Sequence, residues 1–166
     1  VERTALSLLG AVERPWGLRG EEPRSRLAWA ARLHEVGLAV AYAGHHKHGE
    51  YLLRNSDMPG FSRQDQDVVA AIVRAHRRRL DPDTFESLPE PRRDTVLRLS
   101  VLLRIAAVVH RNRSPRRAPD IRAKATPGRL SLRFPAGWLD RHPLTRADLG
   151  EQARDVASGG IELEVR

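Results

Sequence analysis

Histidine and arginine are the residues with which this chain could do chemistry, and they are concentrated in one stretch. From Trp29 to Arg79 it carries His34 followed directly by Glu35, then His45, His46 and His48, then His76 among Arg74, Arg77, Arg78 and Arg79. Imidazole ligates metals and exchanges protons near neutral pH. A guanidinium fork grips phosphate oxygens in pairs, so arginines at this density suit a phosphorylated or polyanionic ligand. Helical spacing restrains the metal reading. Only residues three or four apart stack on one helix face, and His46 with His48 alone make no such pair. For His34 the simpler role is a core histidine donating one hydrogen bond from the apolar face of its helix. Glu35, near a helix C-terminus where negative charge is unfavourable, calls for a buried arginine partner.

The elements that must position these side chains are mostly helices. Thr4–Val12 reads as an amphipathic helix, followed by a turn-rich break over 14–23. A second helix is expected over Arg24–Val36, with Leu27, Ala30, Ala31 and His34 on one face and Gly37 as its C-terminal cap. A third lies near His46–Arg54, and NSDMPGF (55–61) is a loop by its Asn, Asp, Pro and Gly. Ser62 with Asp65 marks the next helix start. Val68, Val69, Ile72, Val73 and His76 form that helix's stripe. After a break over 81–91, with Pro91 suited to a first turn, Asp94–His110 is the most apolar helix and is expected to be central. RNRSPRRAPD (111–120) reads as a basic linker carrying Arg111, Arg113, Arg116 and Arg117. IRAKAT and RLSLRF flank Pro127–Gly128 as a β-hairpin. TRADLGEQARDVA is a final helix, and IELEVR closes with a strand. The fold class is mainly α: a helical bundle with a small C-terminal antiparallel β-sheet. It divides into a helical part, 1–112, and a small α+β part, 113–166, packed as one unit.

Composition sets the outer limits. A chain of 166 residues buries about two-thirds of its unfolded surface without staples. The absence of cysteine excludes disulfides, thiolate metal sites and cysteine nucleophiles. No apolar run reaches the length of a bilayer crossing, so no membrane role is expected. The opening VERTALSLLG lacks the basic start of a secretory signal and an initiator methionine, which suits a fragment or processed chain; the bacterial cytoplasm is the expected compartment. Lys+Arg number 29 against 21 Asp+Glu, a formal charge of +8 that favours anionic partners. Only Lys47 and Lys124 are lysines, so a GC-rich genome would also account for the arginine. Nucleic acid is not the expected partner: aromatics are 5% of the chain, with no interleaved stacking platform and no helix-turn-helix or zinc-finger spacing.

LHEVG, HHKHGEYLLRNSDMPGFS and VRAHRR occur in that order, and RLSLRFPAGWLDRHPLTRADLGEQ follows near the end. Over Leu6–Val165 the chain resembles the helical C-terminal region of the exopolyphosphatase / guanosine pentaphosphate phosphatase (Ppx/GppA) family, and more distantly the HD-domain phosphohydrolases. The resemblance implies an HD-domain-like bundle. It also implies actin-like N-terminal domains that carry the catalysis, with Mg²⁺ expected only there and no cofactor in this chain. The helical part of such proteins packs on those domains, helps line a basic channel for long polyphosphate and takes part in dimer contacts.

An HD site needs a remote histidine, an adjacent His-Asp pair and a distal aspartate to hold the ion that activates water. Here His34 fits the pair and Glu35 replaces its aspartate. His48 and His76 fall near positions that supply ligands in binuclear relatives. Ala106 and Ala107 stand where the distal aspartate is expected, and residues 1–26 contain no histidine. His34 and Glu35 are therefore expected to be remnants of an HD site, with no catalytic residue and no metal in this chain. The expected function is an accessory domain of an exopolyphosphatase-like phosphohydrolase, binding or guiding polyphosphate through His46, His48, Arg74, Arg77 and Arg78 and supporting a homodimer. The alternative is a metal-dependent HD phosphohydrolase acting on nucleotides, and whether the ligand is polyphosphate or pppGpp stays open.

Overall fold

A computed structural model describes residues 1–80, 82–86, 88–112 and 118–166. Among them the helices are α1 (Glu2–Val12), α2 (Glu21–Leu33), α3 (His45–Asn55), α4 (Arg63–Ala75), α5 (Glu90–Val109) and α6 (Pro143–Ala157). Short 3₁₀ turns cover Val36–Ala39 and Pro82–Phe85, and the strands are β1 (Arg122–Thr126), β2 (Arg129–Arg133) and β3 (Glu162–Val165). The molecule is mainly helical with a small sheet, as its periodicities imply.

Helix α1 buries Thr4, Ala5, Leu8, Leu9 and Val12, one face at helical spacing. Helix α4 buries Val68 through Val73 on nearly every side, because α2, α3 and α5 all pack against it. Helix α5 shares the centre and touches α1, α2, α4 and α6. Ser62 caps α4 as its spacing predicts: its Oγ accepts from the Asp65 amide at 3.1 Å. Gln66, buried at the foot of α4, donates to the carbonyls of Leu53 and Ser56 and so satisfies the end of α3.

Three expectations are corrected. Helix α2 starts at Glu21, not Arg24, since Pro23 falls in its first turn, where no intrahelical amide donor is needed. Gly37 is no helix cap but part of the 3₁₀ turn after α2. The sheet is mixed. β1 and β2 form the antiparallel hairpin around Pro127–Gly128, with Ala123 opposite Leu132 and Ala125 opposite Leu130. β3 pairs with β2 in parallel, Leu130 beside Leu163. The cause is the α6 crossover, which returns the chain to the same end of the sheet. Leu130, Leu132 and Leu163 face the core. Trp16, buried after α1, donates its Nε1–H to the Thr126 carbonyl at 2.8 Å and pins the sheet to the helices.

Candidate functional site

Two glycines bring the histidines together. A side chain at Gly37 would run into the backbone of His45 and Gly49, so the 3₁₀ turn and α3 meet main chain to main chain. A side chain at Gly49 would lie 3.0 Å from Val73 Cγ1, so α3 also sits tightly on α4. That approach places the first turn of α3, His45 and His46, against His34 at the end of α2 and His76 at the end of α4. The His76 ring lies 5.5 Å from those of His34 and His45 and 6.4 Å from that of His46, and His45 lies 6.2 Å from His46. His45, His46 and His76 are buried, and His34 is half-buried.

Carbonyls decide the tautomers. A carbonyl only accepts, so Nδ1–H of His34 donates to Ala31 at 2.8 Å and that of His76 donates to Val73 at 2.6 Å. His45 Nδ1 stands 3.1 Å from the Tyr42 carbonyl and 3.2 Å from Arg77 Nη1. It serves one of the two: protonated it donates to Tyr42, deprotonated it accepts from Arg77. Burial favours the neutral form of His34, His46 and His76. The His76 pKa falls to about 3, first through burial, with the neighbouring histidines adding to the fall. That of His46 falls to about 4, through burial and then the positive charges of Arg74 and Arg77. His34 is lowered as well, burial again leading.

Among the described residues no three histidines or acids are placed to share a metal ion. The chemistry agrees, since Arg74 and Arg77 flank the rings and oppose a cation. The residues present do not fit an HD-type metal. Glu35, expected in a buried arginine pair, is exposed beyond the end of α2.

The arginines divide into two groups. Arg74 is committed: its Nε lies 3.1 Å from Glu50, which also receives Arg54 at 3.2 Å. Arg77 is half-buried beside His45. Arg78 and Arg79 are exposed. Among the described residues none of Arg77, Arg78 and Arg79 forms an ion pair with a carboxylate. His48, half-buried on the next turn of α3, makes no ring contact with the cluster among the described residues. Of the linker cluster, Arg111 pairs with Asp148 at 2.5 Å, while Arg113, Arg116 and Arg117 lie outside the described residues.

Sequence alone offers His45 without its place in the cluster, and it passes over Arg104. His45 joins the cluster through the glycine contact. Arg104, inside the most apolar stretch of α5, is fully buried behind the basic turn and bonded to it. Burial lowers its pKa to about 10, with the Asp155 charge opposing, so it remains a cation at neutral pH. Its sign in the sequence was a lone charge in the run SVLLRIAAVV, which needs several acceptors if it faces inward.

The described residues thus form a helical body with a buried histidine cluster beside a basic turn. Comparison supplies the family: the profile of Ppx/GppA phosphatase, domain III, matches residues 1–153, and the chain belongs to the Ppx/GppA phosphatase family. It is 32% identical over 167 residues to a guanosine-5'-triphosphate,3'-diphosphate pyrophosphatase of Pseudoalteromonas translucida, covering 99% of this chain and 33% of that protein. Proteins of the same name from Vibrio vulnificus and Aeromonas salmonicida are 32% and 30% identical, covering 99% and 90% of this chain and 33% and 30% of their own lengths. The chain thus spans about a third of the curated relatives it matches.

Proposed function

We propose that this chain is a noncatalytic accessory domain of a Ppx/GppA-type phosphohydrolase that binds or guides a polyanion, polyphosphate foremost. Its partners in this reading are the actin-like catalytic domains of the same cytoplasmic protein, where the Mg²⁺ chemistry resides, and a second copy in a dimer. The observation that carries the reading is the basic turn after α4, where three consecutive guanidiniums have no carboxylate partner among the described residues. His46 on α3 lies close by, its ring 6.4 Å from that of His76, and His48 and Arg74 complete the proposed face. Arg74 contributes least, because Glu50 already neutralises it.

Long-chain polyphosphate should bind more tightly than a mononucleotide, since many weak contacts act on one tethered ligand. Affinity should fall as salt rises, by analogy with counterion release from nucleic acids. Calorimetric titration of the wild type and of the Arg77→Ala/Arg78→Ala double variant at two salt concentrations tests this. The double variant is expected to bind polyphosphate more weakly with its thermal midpoint nearly unchanged. Equal affinity in both proteins, or no binding at low salt, would reduce these arginines to a solvated face. Mg²⁺- or Mn²⁺-dependent phosphate release that disappears in His34→Ala would favour the HD phosphohydrolase reading instead.

A further inference from the structure

The basic turn is held from behind by a buried network. Arg104 donates from Nη1 to the Ala75 carbonyl at 2.7 Å and from Nη2 to the Arg78 carbonyl at 2.5 Å, on either side of His76 and Arg77. Its other bonds reach α6: Nε to Gln152 Oε1 at 2.7 Å and Nη2 to Asp155 Oδ2 at 2.9 Å. Two further contacts tie the end of the turn to the same helix. The Leu80 amide donates to the Asp155 carbonyl at 3.2 Å, and the Ser158 hydroxyl has two carbonyls within donating distance, Leu80 at 2.9 Å and Asp155 at 2.8 Å.

Inside this frame Arg78 adopts φ +67°, and no other non-glycine residue among those described has positive φ. An L side chain is disfavoured in that left-handed region, and such a conformation persists only where the surroundings over-determine it. Here the Arg78 carbonyl is fixed by a cation that is itself fixed by Asp155 and Gln152. The bonds fall on the backbone of the turn and leave the guanidiniums of Arg78 and Arg79 in solvent.

We infer that Arg104, Asp155 and Ser158 are positioning residues that preorganise the Arg77–Arg78 turn for a polyanion, so that α6 governs affinity at a face it does not form. This rests on the polyanion reading above. A preset turn spares the ligand the cost of ordering two long side chains and their backbone, on the order of tenfold in affinity.

Charge and position predict opposite outcomes for one substitution. Asp155→Asn removes an acid, so a purely electrostatic face would bind polyphosphate more tightly. Positioning predicts binding about tenfold weaker, with a shallower salt dependence because fewer phosphates are engaged at once. Ser158→Ala changes no charge and should also weaken binding; it carries the test if Asp155→Asn fails to fold. The measurement is calorimetric titration of the whole chain with long-chain inorganic polyphosphate at low salt, below each variant's thermal midpoint. Unchanged or tighter binding in the folded variants overturns the positioning role. If Arg77→Ala/Arg78→Ala loses binding while the α6 variants keep it, the polyanion reading stands and only the positioning role falls. If the double arginine variant binds like wild type, both fall.

Discussion

Neutral imidazoles buried beside guanidiniums make this fold sensitive to acid. His76 and His46 have pKa values near 3 and 4, below the ordinary 6.5 expected once the chain unfolds. Between those limits the unfolded chain binds more protons than the native one, so stability is complete at neutral pH and declines as pH falls. Each histidine should contribute a slope approaching about 1.4 kcal/mol per pH unit within the window. Urea unfolding at pH 7, 6 and 5 should show the decline, and His76→Phe should flatten it; a pH-independent wild type would contradict the burial argument. His34, His46, His48 and His76 are all visible in the sequence as candidates. Their sorting is not, because it depends on which backbones touch. His45 enters the cluster and His48 stays outside, a distinction made by two glycines and one helical turn.

At the level of elements, periodicity and capping carry far. The stripe of α4, its Ser62 cap and the two-residue hairpin turn follow from local sequence, as does the apolar α5. What escapes is contact between main chains. Gly37 looks like a helix terminator by residue type, yet its role is to let a 3₁₀ turn lie on the backbone of α3. Gly37→Ala should therefore cost about 1–3 kcal/mol through overpacking, far beyond what loss of a flexible cap residue would give. Thermal unfolding measures the cost, and nuclear magnetic resonance shifts at the ring protons of His45 and His76 report whether the cluster opens. A change of a few tenths of a kcal/mol would place Gly37 back in the role of a simple turn residue.

For the whole molecule, net charge was the least reliable guide. A formal +8 points to an anion-binding surface, but much of the arginine serves internal architecture. Arg26 bonds Asp65 through two nitrogens, Arg54 spans Glu50 and Asp67, Arg129 holds Glu162 across β2 and β3, and Arg104 lies in the core. After α4 consecutive arginines reach the surface together, with no carboxylate paired to Arg77, Arg78 or Arg79 among the described residues. The sheet shows the same limit of local reading. The strands themselves were legible, but the direction of β3 depends on how α6 packs on α5 across a long sequence separation, which no window of residues contains.

The left-handed arginine also determines how this position would respond to selection. Glycine adopts that backbone without steric penalty, so a library at residue 78 screened for heat tolerance alone should enrich Arg78→Gly. A screen that demands capture of polyphosphate should deplete the same codon. Opposite enrichment at a single site, read by sequencing both survivor pools, would be the population-level trace of a residue kept in a costly conformation for the side chain it presents.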